Sequence, residues 1–284
     1  MRKKIFFIAG IVQLFIFLRP QSIFSQDLDA KELLSQMIDH AHAVNGFKSV
    51  IRKTERIEGK MVLQVSEVKV SRNPYEVYVK QISPKSGVEI LCANGCKKAL
   101  INMNGFPWIN LTFDPYGMIM RKHQHHTIHD SGFDLLTSIL SRSLHDFRAE
   151  EQTLNHKGDL VWHGVGVFNI ELINNTYSTK KYKVWKDENI ADIAKKFNIN
   201  EYAILELNPM CDNYEDVNLG QELIIPSHYG VRMNLYINKL TMLPMLIRVY
   251  DVQGLFEEYD YTKFELNPKF TDNEFDASFA EYNF

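Results

Sequence analysis

Apolar residues recur at helical spacing at Leu33, Leu34, Met37, Ile38, Ala41 and Val44. They stand behind an Asp29/Glu32 pair placed as in a capping box and ahead of Asn45-Gly46, so the pattern predicts one amphipathic helix. From residue 47 to about residue 110 the pattern changes to β-rich stretches at 48–56, 61–70, 75–82 and 88–91. Turn formers separate them: Glu58-Gly59, Asn73-Pro74, residues 84–87 and Asn94-Gly95. Connections this short predict an antiparallel meander. Residues 102–117, rich in Gly and Pro, read as a loop before a second helix, which Asp130 or Ser131 caps and which sets Phe133, Leu136, Leu140 and Leu144 on one face. Strand patterning resumes at 160–173. Far downstream, Met233, Leu235 and Ile237 alternate with polar or aromatic neighbours, as do Met245, Ile247 and Val249, and a turn at 251–254 leads into a strand at 255–264. Helices layered on a run of antiparallel strands make an α+β domain.

Between these strand sets, residues 182–226 have their own order: a short strand at 182–184, compact helices at 190–197 and 201–207, and a strand at 220–226. The string from Val184 through Ile190, Ala191, Ile193, Ala194 and Phe197, then Leu205, Asn208-Pro209, Gly220-Gln221 and Ile225-Pro226, resembles the lysin motif (LysM) over the whole segment. LysM units bind N-acetylglucosamine-containing glycans such as peptidoglycan in a shallow groove between two loops. Carried over by position, the resemblance implies Asp187, Glu188 and Asn189 on the first loop and Asn208, Pro209 and Met210 on the second. Amide and backbone groups beside a small apolar surface suit sugar hydroxyls and acetamides. Lys186 stands where the motif usually has Gly and Glu188 where it has Thr, and 210–217 is a longer, acidic loop.

The outer segments resemble a family of exported bacterial proteins of unknown function (number 1571), related in fold to the periplasmic lipoprotein carriers of the LolA/LolB type. The resemblance rests on Asn45-Gly46-Phe47, Asn73-Pro74-Tyr75, Asn104-Gly105-Phe106, Asp114-Pro115-Tyr116-Gly117, the run 120–128, Thr241 to Pro244, Tyr261 and Phe275. It implies a curved antiparallel half-barrel covering helices, with an apolar space that in the carriers holds acyl chains. Strand segments such as Val77-Tyr78-Val79 and 246–250, apolar on both faces, fit a sheet covered on both sides. A core simply filled by aromatic side chains fits them equally.

The chain has 284 residues, 45% hydrophobic and 24% charged, enough apolar side chain for a sizeable core. Arg2, Lys3 and Lys4, the apolar run 5–18 and small or polar residues to Gln26 read as an export signal, too short at its apolar part to span a bilayer as a helix. Its removal takes four basic residues and no acid and moves the net charge from −3 to −7, which gives no support for nucleic-acid binding. The expected division is therefore signal 1–26, host 27–181, LysM insert 182–226 and closing host strands 227–284, in the periplasm or cell envelope.

Export makes Cys92 and Cys96, across a turn at Asn94-Gly95, a candidate disulfide, with two unbonded small residues at a hairpin tip as the alternative. Of ten histidines, His123, His125, His126 and His129 cluster. On a helix His125 and His129 share a face, on a strand His123 and His125 do, and Asp130 or Asp134 is available as a third zinc ligand. No nucleophile or paired-carboxylate constellation accompanies them. The sequence thus reads as a non-enzymatic envelope binding protein without cofactor, holding a lipid or lipoprotein acyl chain and associating with peptidoglycan. The alternatives are a wall-associated structural protein without ligand and a metal-dependent hydrolase using the histidine cluster.

Overall fold

A computed structural model describes residues 29–106 and 108–284. The export segment read at residues 1–26 lies outside them. Helix α1 (Ala30–His42) leads into β1 (Gly46–Ile57), β2 (Lys60–Arg72), β3 (Tyr75–Ser83), β4 (Glu89–Cys92), β5 (Ala99–Asn102) and β6 (Asn110–Phe113). A one-turn helix α2 (Met118–Arg121) and α3 (Asp134–His145) precede the hairpin β7 (Gln152–Trp162) and β8 (Val165–Asn174). Then come β9 (Thr179–Lys183), α4 (Ile190–Phe197), α5 (Glu201–Leu207) and β10 (Glu222–Pro226), followed by β11 (Arg232–Asn238), β12 (Pro244–Asp251) and β13 (Gly254–Leu266).

Eleven strands form one antiparallel sheet in the order β6-β5-β4-β3-β2-β1-β13-β12-β11-β8-β7, while β9 and β10 pair separately. The sheet is open, since its edge strands β6 and β7 do not meet, and the class is α+β. Its centre joins the two ends of the sequence, because β13 pairs along β1 from Phe47↔Leu266 to Glu55↔Glu257. Helices α1 and α3 lie on one face. Leu33, Leu34 and Met37 of α1 and Leu140 of α3 are fully buried in a core with Phe47, Val77, Ile170, Leu235 and Phe256. Burying each such side chain is worth about 1.5–3 kcal/mol.

The opposite face of β1–β5 is covered by residues 268–284. Tyr282 stacks on Tyr78 with centroids 3.8 Å apart, Asn283 N donates to Glu89 at 2.9 Å, and the buried Glu274 pairs with Lys48 at 2.8 Å and Lys69 at 2.9 Å. Phe275, expected among the closing strands, instead packs on Phe270 in this tail, at 4.9 Å between centroids. Apolar residues on both faces of the strands thus reflect two coverings of the sheet.

Four expectations change. The stretch 160–173 is two strands, because His163 and Gly164 take the left-handed backbone that a tight hairpin turn needs, with φ of 49° and 79°. The loop at 102–117 contains β6, paired to β5. Neither Asp130 nor Ser131 caps α3, since Asp130 accepts from Thr127 N at 2.9 Å in the preceding turn and Ser131 Oγ donates to Ile128 O. Asp29 caps α1 by accepting from Lys31 N, whereas Glu32 accepts from Gln36 and does not turn back. Cys92 and Cys96 are joined in a disulfide that closes the β4–β5 turn. Among the described residues no helix is long and apolar enough to cross a membrane.

The segment 179–226 has a core of its own around Val184, Ile190, Ile193, Ile204, Leu223 and Ile225. It leaves and returns at one point, with Ser227 N donating to Ser178 O at 2.8 Å. Since β11–β13 follow this segment, a chain ending at residue 181 lacks the strands that pair with β1 and β8. Circular dichroism with denaturant titration should show no cooperative transition for residues 29–181. A chain in which 179–226 is replaced by a short Gly-Ser linker should keep a transition, at lower denaturant than the full chain.

Candidate functional site

Strand β13 carries Glu257, 2% exposed, directly across from the equally buried Glu55 of β1. Two carboxylates placed in this way are costly unless each is charge-compensated and hydrogen-bonded. Glu257 Oε1 accepts from Tyr229 Oη at 2.8 Å, and Oε2 faces His125 Nδ1 at 2.8 Å, His126 Nε2 at 3.2 Å and Asn200 Nδ2 at 3.4 Å. Glu55 pairs with Lys53 at 3.2 Å and accepts from Tyr259 Oη. Burial opposes charge on Glu257, but His126 and His125 outweigh it and hold the carboxyl below the usual range. Burial likewise opposes charge on His126. The charge and hydrogen bond of Glu257, with Asp130 and Glu55 behind it, prevail and raise its pKa to about 9.

The four clustered histidines do not converge. His125 is fully buried, its ring stacked between Phe256 at 4.1 Å and Tyr202 at 4.6 Å, with Nε2 donating to Arg56 O at 2.8 Å. Both its ring nitrogens thus face acceptors, Glu257 Oε2 and Arg56 O. His123 is exposed. His129 lies between Tyr75 and Tyr116, stacked on the latter at 4.6 Å, and its Nε2 is buried without a partner. Among the described residues, only His126 joins carboxylates in a metal-like grouping. With Glu55 and Glu257 it offers three ligand atoms within 4.8 Å of one another. No spacing along the sequence signals this trio, because β1–β13 pairing sets Glu55 across from Glu257 and the loop after α2 carries His126 onto them.

Beside the network, a cavity of about 180 Å³ lies between the sheet and the segment 118–131. Val68, Val79, Ile90, Met120, Ile128 and Tyr261 form its apolar wall, and Lys53, Gln64, Gln81 and Gln124 its polar margin.

The inserted unit is clamped to the same place. Asn200 caps α5 with Oδ1 while its Nδ2 reaches Tyr229 and Glu257. Glu206 pairs with Arg56 at 3.0 Å, Glu201 with Arg121, and Tyr202 Oη accepts from Glu58 N at 2.8 Å. The acidic loop after Met210 serves this docking, since Arg121 lies 3.3 Å over the ring of the buried Tyr214.

Of the six residues implied by the LysM resemblance, three are engaged within the unit. Asn208 is fully buried and clamps α5 to β10, donating to Ile204 O and Ile224 O and accepting from Ile224 N. Asn189 caps α4 and holds Glu215. Glu188 is tied to Tyr182, Lys196 and Trp185 N. Asp187, Pro209 and Met210 are exposed. Trp185 and Leu219, within the string that resembles LysM but not among its implied contacts, are 67% and 72% exposed and brought alongside by Gly220 N donating to Val184 O.

The raised pKa of His126 makes stability pH-dependent. Its contribution is complete below 6.5 and lost as pH rises through about 9, whereas that of Glu257 is present above 4.5 and lost as pH falls. The denaturation midpoint should therefore decline from about pH 6.5 to about pH 9, and His126→Gln should flatten that limb.

The LysM domain model matches residues 182–226. No curated protein matches the sequence. Among solved structures, the chain is similar to the lipoprotein LppX of Mycobacterium tuberculosis, at 11% identity over 86% of this chain and 98% of that one, with a TM-score of 0.43. It is similar to a LolA superfamily protein from Nitrosomonas europaea at 12% identity over 87% and 97%, TM-score 0.33. It is also similar to the MucA/MucB complex structure of Pseudomonas aeruginosa at 10% identity over 87% and 60%, TM-score 0.42. TM-scores this low say nothing of function. The family model described as "Protein of unknown function (DUF1571)" covers residues 44–201, more than half of the sequence, and the chain belongs to that family.

Proposed function

We propose that this is an exported cell-envelope binding protein without enzymatic activity. In this reading residues 27–181 and 227–284 form one host domain around a LysM unit at 182–226. The host holds an apolar ligand such as a lipid or lipoprotein acyl chain, and the insert associates with N-acetylglucosamine-containing glycan, peptidoglycan in the first place. The observation that carries the ligand reading is the cavity behind segment 118–131, with Val68, Val79, Ile90 and Ile128 in its wall. At about 180 Å³ it lies below the 300–1,000 Å³ usual for small-molecule sites, so one chain fits better than a diacyl lipid. Export is supported by the basic-apolar segment at 1–26 and by the Cys92–Cys96 disulfide, since disulfides persist in oxidising compartments.

The glycan surface we assign to Trp185, Asp187, Pro209, Met210 and Leu219, which are exposed at the end of the insert where Val184 and Gly220 meet. Glu188, Asn189 and Asn208 shape that surface from within. A second reading, the metal-dependent hydrolase, is favoured by the Glu55, His126 and Glu257 trio. A metal there would compete with Lys53, Tyr229, Tyr259 and His125, which already engage both carboxylates.

Native mass spectrometry of the purified protein should show a bound lipid, and Val79→Trp, which fills the cavity, should abolish it. Absence of lipid after incubation with the wild-type chain would sink the ligand reading. Stoichiometric zinc by elemental analysis would put the hydrolase in its place. Sedimentation with purified peptidoglycan should carry the protein down, and Trp185→Ala should reduce the bound fraction without changing stability. Asn208→Ala should instead destabilise the insert by about 1–3 kcal/mol, because it leaves buried backbone groups unpaired.

A further inference from the structure

Three cavities border on the short segment that carries His126 and Asp130. The apolar space within the half-barrel reaches His126, Thr127 and Asp130. A small one of about 50 Å³ between α3 and β11–β13 is lined by His126, Asp130, Tyr229 and Leu135. The third, about 400 Å³, is a groove between this segment and the insert, and the same His126 and Asp130 form its inner wall.

The chemistry changes from one space to the next. The half-barrel interior offers chiefly Val, Ile, Met and Tyr surface. The groove offers the phenol of Tyr116, the hydroxyl of Ser138 on α3 and, from the insert, the ammonium of Lys195 and the side chain of Asn198, the amide of Asn200 being already engaged in the clamp. His129 also lines it, and its buried Nε2 has no partner among the described residues. Burial lowers the pKa of that ring, so at neutral pH it is an uncharged donor and acceptor. Charges in the groove are mixed: Glu201 is already paired to Arg121, and Lys195 and Asp130 bring opposite signs to its lining. A ligand bearing one sign of charge meets both, whereas hydroxyl and amide groups can accept from the ammonium and donate to the carboxylates.

We propose that the half-barrel interior and the groove together bind one amphiphile, with its apolar chain against Val68, Val79 and Ile90 and an uncharged, hydroxyl-rich head group of the sugar type between Ser138 and Lys195. This rests on the reading of the half-barrel as an apolar-ligand site and extends it by naming the head group and where it sits. The groove has the volume of an ordinary ligand pocket, which the interior lacks, and it lies at the junction of two structural units, where such sites are frequent. The insert then contributes a wall of the ligand site, in addition to its own glycan surface at the far loops.

The full mature chain is titrated with n-dodecyl-β-D-maltoside below its micellar concentration, with 1-dodecanol and with maltose, by competition against a fluorescent apolar probe and by calorimetry. The maltoside should bind about tenfold or more tighter than dodecanol, and maltose alone should not bind measurably. Ser138→Trp and Lys195→Trp, both at exposed positions, should remove that advantage and leave dodecanol affinity unchanged, which also shows that the variants are folded. Equal affinity for maltoside and dodecanol overturns the head-group site and leaves the apolar cavity standing. An advantage that persists in both Trp variants overturns the placement in the groove. Binding of neither amphiphile overturns the cavity reading along with it.

Discussion

The buried carboxylate of Glu257 is the constraint around which the rest is arranged. It projects from the middle of the sheet, where water cannot compensate its charge, and the chain answers from three directions. His125 and His126 come from the segment over the cavity, Tyr229 from the return into β11, and Asn200 from the insert. Without these partners the charge would be stranded in a low-dielectric interior, at a cost of several kcal/mol. One carboxylate therefore fixes the covering segment and the inserted unit on the sheet at once.

This clamp gives the insert a second use. A LysM unit joined only through a flexible linker would tether the host and nothing more. Here α5 lies against the host through Arg56, Arg121, Glu58 and Tyr229, and α4 walls a groove that borders the cavity network. The loop that is long and acidic in sequence carries Tyr214 onto Arg121, so its departure from the LysM pattern has a structural cause. The loops that carry Trp185 and Met210 keep these two side chains exposed.

Legibility followed the range of the interaction. Helix α1, the hairpins of β1–β4 and the order of the insert depend on neighbours a few residues apart, and periodicity and turn formers reported them. The hairpin β7–β8 was read as one strand because its turn is His163-Gly164, a weaker signal than Asn-Gly. The aromatic tail 268–284 has no strand or helix period, so nothing in its pattern showed that it covers the far face of β1–β5. The histidine cluster was legible as a cluster, but only His125 and His126 of it reach the buried carboxylate. His126 meets Glu257 while His129 stacks on Tyr116.

The sequence by itself determined the local elements and the two families to which its segments are akin, since each rests on short-range pattern or on an ordered string of residues. Tertiary structure alone decided that Glu55 faces Glu257, that Asn208 is a clamp inside its unit and that the insert closes one side of a groove. Those facts depend on strand register and on packing between segments far apart in the chain, and no spacing along the sequence encodes them.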